Sequence, residues 1–275
     1  MTNNKLKYVY CVPHIRGFND ILCTIANCLN YCRKYDRILL LDTFINTYKI
    51  NLIDYFIINC EEIIIDKNMI ENILLNDDLT YYPVKSINAK KYLTYCNNTM
   101  RFDLESEYDE DVLIYSDSRG FYNSGLDFLK YLKMIPNTDL YNILHNRLSQ
   151  LNSKYVSIHI RNTDYQSNYI KTYDDNKLII ENYPKIFLAT DSMEVFKYFK
   201  SLNLQLISFT KLPEINEPLH DTKLINSNDV FVDMFCDLIL LGMSDKIILP
   251  DIYYGFSRLA LQLNENKKLL SFIIN

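Results

Sequence analysis

The sequence predicts an α/β protein whose two halves are each built on a parallel sheet. Three observations predict this. Residues 7–43 read as strand, glycine-bearing loop, helix and second strand, the β-loop-α-β unit that seeds a parallel sheet. A second alternating series of strands and helices begins near residue 155. Three of its strand ends carry unusual polar residues, as ligand sites in open α/β sheets do.

Along the chain, Lys7 to Ile15 reads as a strand and "HIRGFND" as a loop, with Gly17 free to take a positive φ. Asn19 to Tyr35 carries Ile21, Leu22, Ile25, Cys28, Leu29 and Cys32 at helical spacing, with Asn19 or Asp20 as cap. "RILLLDT" (Arg37 to Thr43) is a continuous apolar run of strand length. "CEEIIID" and "DVLIYS" read as strands and "GLDFLKYLKMI" as a helix. "LYNILHNRLSQL" is helical, with Leu140, Ile143, Leu144 and Leu148 as its stripe. "YVSIHI", "KIFLATD", "QLISFT" and "KIILP" then give four strands. Asp191 and Glu194 form a variant capping box that opens the helix "MEVFKYFKSL". "DVFVDMFCDLILLGMS" is apolar nearly all round and so a buried helix, and "GFSRLALQL" starts another. The seam falls near residue 150, giving halves 1–150 and 151–275.

Bulk properties narrow the function classes. The chain has 275 residues, which suits one large domain or two ordinary ones. With 48% apolar and 23% charged residues it can bury a sizeable core. A formal charge of −5 without a long basic run argues against nucleic acid, while leaving room for a local basic pocket for a phosphorylated small molecule. The seven cysteines are odd in number and scattered, which argues for buried free thiols rather than a disulfide framework. No signal-peptide core opens the sequence, and no apolar window of about 18 residues is long enough for a transmembrane helix. The expected location is the cytoplasm.

The chemistry-bearing residues cluster at strand ends. The first end gives His159, Arg161, Asn162, Thr163 and Asp164; the second Thr190, Asp191 and Ser192; the third Tyr253, Tyr254, Gly255, Phe256, Ser257 and Arg258. Arginine offers a planar fork for phosphate oxygens. A serine beside helix N-terminal amides adds a second phosphate contact. Each group alone has an ordinary explanation: a satisfied strand histidine, an Arg161–Asp164 salt bridge, a helix cap, a turn. Their order and spacing together describe a site for a nucleotide carrying a diphosphate.

"HIRNTDY" resembles the His-x-Arg-x-x-Asp motif of the α1,2-, α1,6- and protein-O-fucosyltransferases and the nodulation fucosyltransferases. "IFLATDS" is similar to their second motif and "DLILLGMSDKIILPDIYYGFSRLA" to their third. "RGFNDILCTIANCLNYCRKYDRILLLDT" resembles their N-terminal glycine-rich loop, long helix and following strand. The resemblance spans both halves in the right order. It implies a GT-B-like fold, two Rossmann-like domains facing across a cleft, the first on the acceptor side and the second binding the nucleotide sugar. It implies an inverting glycosyltransferase that needs no metal or cofactor and moves a sugar, foremost fucose from GDP-fucose, to a glycan hydroxyl.

Residue by residue, the resemblance makes Arg161 the ligand of the β-phosphate and Asp164 the aspartate that orders its loop. It places His159 near the base and ribose, Ser257 at the phosphate within Tyr254, Gly255 and Phe256, and Asp191 as the first acid of the second motif. Asp237, eight residues before Asp245, matches the guanine-binding carboxylate, with Asp233 as competitor. His14, Arg16, Gly17 and Asn19 fall in the loop facing the nucleotide. The expected partners are the donor and a glycan acceptor, with a homodimer left open.

The sequence departs from the family at Asn162, where many members have a second arginine, and at Tyr165, Gln166 and Ser192. Two other readings therefore stand beside the first. One is a metal-dependent enzyme holding a cation on Asp109, Glu110 and Asp111, or on Asp174 and Asp175. The other is a non-catalytic GDP-sugar-binding protein of the same fold, which Asn162 and Ser192 permit.

Overall fold

The structure, a computed structural model, describes residues 6–13, 17–45, 47–83, 101–116, 124–151, 154–163, 166–212 and 227–275. The chain divides into two compact units, Met1–Leu132 and Lys133–Asn275.

The first unit holds a five-stranded sheet. Its elements run β1 (Tyr8–Cys11), α1 (Phe18–Lys34), β2 (Ile38–Leu41), β3 (Phe44–Ile45), β4 (Ile50–Asn51), β5 (Phe56–Ile58), β6 (Ile63–Ile64), α2 (Lys67–Leu74), β7 (Tyr81–Tyr82), β8 (Val112–Tyr115) and α3 (Leu126–Leu129). The sheet order is β6-β2-β1-β8-β7, with every pairing parallel. Parallel strands covered on both faces need continuous apolar sequence, and Val9 to Cys11, Leu39 to Leu41 and Val112 to Ile114 are buried without interruption. All six apolar residues predicted for the α1 stripe are buried.

Two expectations for the entry to α1 are corrected. The N-cap is Gly17, not Asn19 or Asp20, and no side chain caps the helix. Gly17 is extended, at φ −60° and ψ 152°, so the turn needs no positive φ. Its carbonyl accepts the Asp20 and Ile21 amides, which lets an ordinary extended residue open the helix.

The predicted helix "GLDFLKYLKMI" is also corrected. It stops at Leu129, and β9 (Leu132–Met134) follows. The apolar spacing fits both forms, but the Asn59 amide donates to the Tyr131 carbonyl and holds the chain extended. Leu132 and Met134 then face inward on either side of Lys133, the two-residue period of a strand.

The second unit runs α4 (Asp139–Leu151), β10 (Val156–Ile160), α5 (Tyr169–Glu181), β11 (Ile186–Thr190), α6 (Met193–Ser201), β12 (Leu206–Ile207), α7 (Ser227–Met243), β13 (Lys246–Ile248), α8 (Gly255–Glu265) and α9 (Lys267–Ile274). The sequence seam at 150 assigned α4 to the first half. In the structure it belongs to the second unit, where Arg147 on α4 pairs with Asp233 on α7. Ile143, expected in the α4 stripe, is exposed, and Leu151 is buried in addition to Leu140 and Leu144.

The second sheet is wholly parallel in the order β12-β11-β10-β13. The chain moves outward from β10 to β11 to β12, then returns through α7 to lay β13 on the other side of β10. The strand order therefore reverses between β10 and β13. That reversal point, beyond the carboxyl ends of the strands, is where sheets of this kind form a ligand crevice. Five cysteines are buried free thiols, Cys60 is half-buried and free, and Cys96 lies outside the described residues.

Candidate functional site

The switch point brings together two of the three polar strand ends. His159 is the next-to-last residue of β10, with Ala189 beside it on β11. Its side chain points to the start of α8, where Nδ1 lies 2.7 Å from the Ser257 hydroxyl. The Phe256 ring lies at 5.0 Å from the imidazole, tilted by 47°. Burial, reinforced by the positive charge of Arg161, lowers the His159 imidazole to about 4. His159 is therefore neutral at pH 7 and carries no charge toward a ligand.

α8 begins without a capping side chain. Its N-cap is Tyr254, and Arg258 is the first residue whose amide reaches back to it, donating to the Tyr254 carbonyl at 2.9 Å. The amides of Gly255, Phe256 and Ser257 are thus the ones with no intrahelical acceptor. Such an end favours an anion through its amides and its dipole. His159, Arg161, Tyr254, Phe256 and Ser257 line a niche of about 20 Å³ here, room for one small group such as a phosphate oxygen. Tyr253 lines it too, and Ser167, Pro250 and Ile252, which carry no signal in the sequence, complete it. Among these lining residues only Arg161 is charged.

The second strand end serves the first. Asp191 Oδ1 accepts the Asn162 amide at 2.8 Å and Oδ2 accepts the Thr163 hydroxyl at 2.6 Å. Arg161 Nε stands 3.9 Å from Oδ2. The expected capping box is corrected: Ser192, not Asp191, is the N-cap of α6, accepting from the Val195 amide. Glu194 instead accepts the Tyr169 hydroxyl at 2.7 Å. Relieved of cap duty, Asp191 is available to the loop after β10. Two of the four departures from the motif pattern thus have structural work: Ser192 caps α6, and Asn162 Oδ1 accepts the Ser167 amide at 3.1 Å.

Asp233 and Asp237 form a separate cluster away from the niche lining. Arg147 bonds Asp233, and its Nη1 lies 3.7 Å from Asp237 Oδ1. Thr210 donates to Asp237 Oδ2 at 2.6 Å, and the Phe209 ring lies 5.2 Å from the Arg147 guanidinium carbon. One guanidinium thus faces two acids. Burial pushes Asp237 up to about 7, with Asp233 adding to the rise and Thr210 and Arg147 opposing it.

That raised value has a signed consequence. The folded state binds the Asp237 proton more tightly than the unfolded chain does, so this group contributes stability at low pH that is lost as pH rises through about 7. Asp237→Asn removes the dependence. Urea unfolding should show wild type gaining on Asp237→Asn between pH 7 and pH 5, by up to about 1.4 kcal/mol per pH unit. His159 acts in the opposite direction below pH 6.5, but it is present in both proteins and cancels. A constant difference between the two proteins would contradict the raised value.

Gly17 and Asn19 lie in the first unit, where Asn19 donates to Cys23 Sγ at 3.6 Å. His14, Arg16 and Asp164 lie outside the described residues. Of the proposed metal-holding acids, Asp111 is buried and accepts from the Thr80 amide and hydroxyl at 2.8 and 2.9 Å. Asp175 pairs with Lys171 on the surface of α5. Among the described residues no three His, Cys, Asp or Glu side chains group as a metal site, and no helix is long and apolar enough to cross a membrane.

No family model and no curated protein matches the sequence. Solved structures do match it. The α-1,6-fucosyltransferase NodZ, co-crystallised with GDP, superposes with a TM-score of 0.64 at 15% identity over 94% of this chain and 93% of that one. A structure of fucosyltransferase NodZ from Bradyrhizobium gives 0.65 at 14% identity over 94% and 93%. POFUT1 in complex with GDP-fucose gives 0.59 at 12% identity over 96% and 95%. The chain therefore has the α/β, GT-B-type fold of these fucosyltransferases.

Proposed function

We propose that this chain is an inverting, metal-independent glycosyltransferase that moves fucose from GDP-fucose to a hydroxyl of a glycan. A fold alone assigns no activity, so the proposal rests on the site. The observation that carries it is the uncapped start of α8 closing on His159 through Ser257, with Arg161 as the charged residue of the niche. The fold shared with proteins solved with GDP and GDP-fucose supports it.

In this reading the β-phosphate meets the Arg161 guanidinium, the Ser257 hydroxyl and the first amides of α8. The acceptor oxygen attacks C1 of the sugar while the C1–O bond to the β-phosphate breaks, inverting the anomeric centre. The bonding electrons leave with GDP, and the acceptor proton passes to a base. Arg161 and the fixed amides offset the charge that develops on the β-phosphate, as preorganised donors do. Neutral His159 orients Ser257.

The nucleotide class is tested by thermal unfolding with GDP, UDP, dTDP and their sugars. A ligand that binds only the folded state raises the midpoint by mass action, about 2.7 kcal/mol at a hundred times its Kd. GDP and GDP-fucose are expected to raise it and UDP and dTDP to leave it in place. A preference for UDP would overturn the assignment.

A further inference from the structure

We propose that Asp191 is a positioning residue: its carboxylate fixes the 161–163 loop and thereby aims the Arg161 guanidinium. The inference rests on the reading of the niche as a diphosphate site. It follows from how the carboxylate is used. Both oxygens are engaged by the loop after β10, one by the Asn162 amide and the other by the Thr163 hydroxyl. The same carboxylate stands 3.9 Å from Arg161 Nε, while Arg161 and not Asp191 lines the niche.

The loop is also held from its far side. The Ser167 hydroxyl donates to the Arg161 carbonyl at 2.7 Å, and Asn162 Oδ1 accepts the Ser167 amide. Arg161 therefore has a backbone fixed at its carbonyl and a next residue fixed at both amide and side chain. Its side chain is about one-third exposed. A partly exposed arginine would sample many rotamers unless something restrained it. The Asp191 carboxylate sits on the Nε side of the guanidinium. Asp191 holds this place because the neighbouring Ser192 caps α6.

A double-mutant cycle on Arg161→Ala and Asp191→Ala tests the inference, read as GDP affinity by calorimetry and as GDP released from GDP-fucose. Asp191→Asn is included because it keeps the shape and an acceptor oxygen should the alanine variant fold poorly. Misaiming a catalytic group by about 1 Å can cost up to about 10²-fold. Asp191→Ala is expected to lower release of GDP about 10- to 100-fold, with Asp191→Asn milder. In the Arg161→Ala background the same change should have almost no further effect. A merely structural role would instead lower the melting point and cost activity equally in both backgrounds, which overturns the inference. Unchanged activity and affinity in Asp191→Ala also overturn it. If Arg161→Ala itself changes neither readout, the diphosphate reading of the niche fails instead, and the two failures are told apart.

Discussion

Arg161→Ala is expected to lower kcat for transfer from GDP-fucose by about 10²–10³-fold, roughly 3–4 kcal/mol of barrier, by analogy with removing one preorganised oxyanion donor. The size follows from the composition of the niche. His159 is held neutral by burial, and no other residue that lines the niche is charged. The amides that open α8 and the Ser257 hydroxyl stay in place, so some catalysis should persist. Arg161→Lys keeps the charge and loses the planar fork, and should fall between the two. The fold should be little affected, since Arg161 is partly exposed and its ion pair with Asp191 is long. A circular-dichroism melt close to wild type alongside the lost activity would show the effect to be local. Wild-type turnover in Arg161→Ala would contradict the proposed role.

The largest effect on stability is expected at Arg147. Its side chain is 11% exposed and faces Asp233 and Asp237, which are 17% and 9% exposed. Removing one partner of a buried ionic cluster leaves uncompensated charge, at a cost of about 3–5 kcal/mol. Against a typical total of about 5–15 kcal/mol, Arg147→Ala should sit close to the unfolding threshold. Denaturant unfolding should show a large fall in midpoint with little change in slope. Adding Asp237→Asn should recover part of the loss, because it removes one of the two acids left facing each other. A loss below about 1 kcal/mol would mean that the cluster is open to water.

How legible these features were depended on how local their causes are. The strands Val156–Ile160 and Ile186–Thr190 were plain, because strands buried on both faces must be apolar throughout. The α1 stripe was plain for a similar reason, as one periodicity accounts for all its burial. α5 was missed: only Thr172, Tyr173 and Ile180 are buried, so it has no apolar stripe to read. It is held by the Asn168 cap and by the surface pairs Lys171–Asp175 and Lys177–Glu181. Asp174 and Asp175, weighed as a metal pair, are therefore helix residues.

The site shows the same division. That polar residues at strand ends of the second half meet is legible in the sequence, because parallel strands present their carboxyl ends at one edge of the sheet. Which of Asp191 and Ser192 caps α6 could not be read locally, because both are good caps. The loop after β10 decides it by taking the Asp191 carboxylate. The partner of Asp233 was equally hidden, since Arg147 comes from a helix 86 positions earlier.

Metal-free transfer from GDP-fucose is tested by turnover in EDTA. Purified protein would be incubated with GDP-fucose and a panel of glycan acceptors, and free GDP measured. GDP release is expected above the protein-free blank, stimulated by at least one acceptor, undiminished by EDTA and greatly reduced in Arg161→Ala. GDP binding with no release from GDP-fucose, or release abolished by EDTA and restored by Mn²⁺, would contradict it.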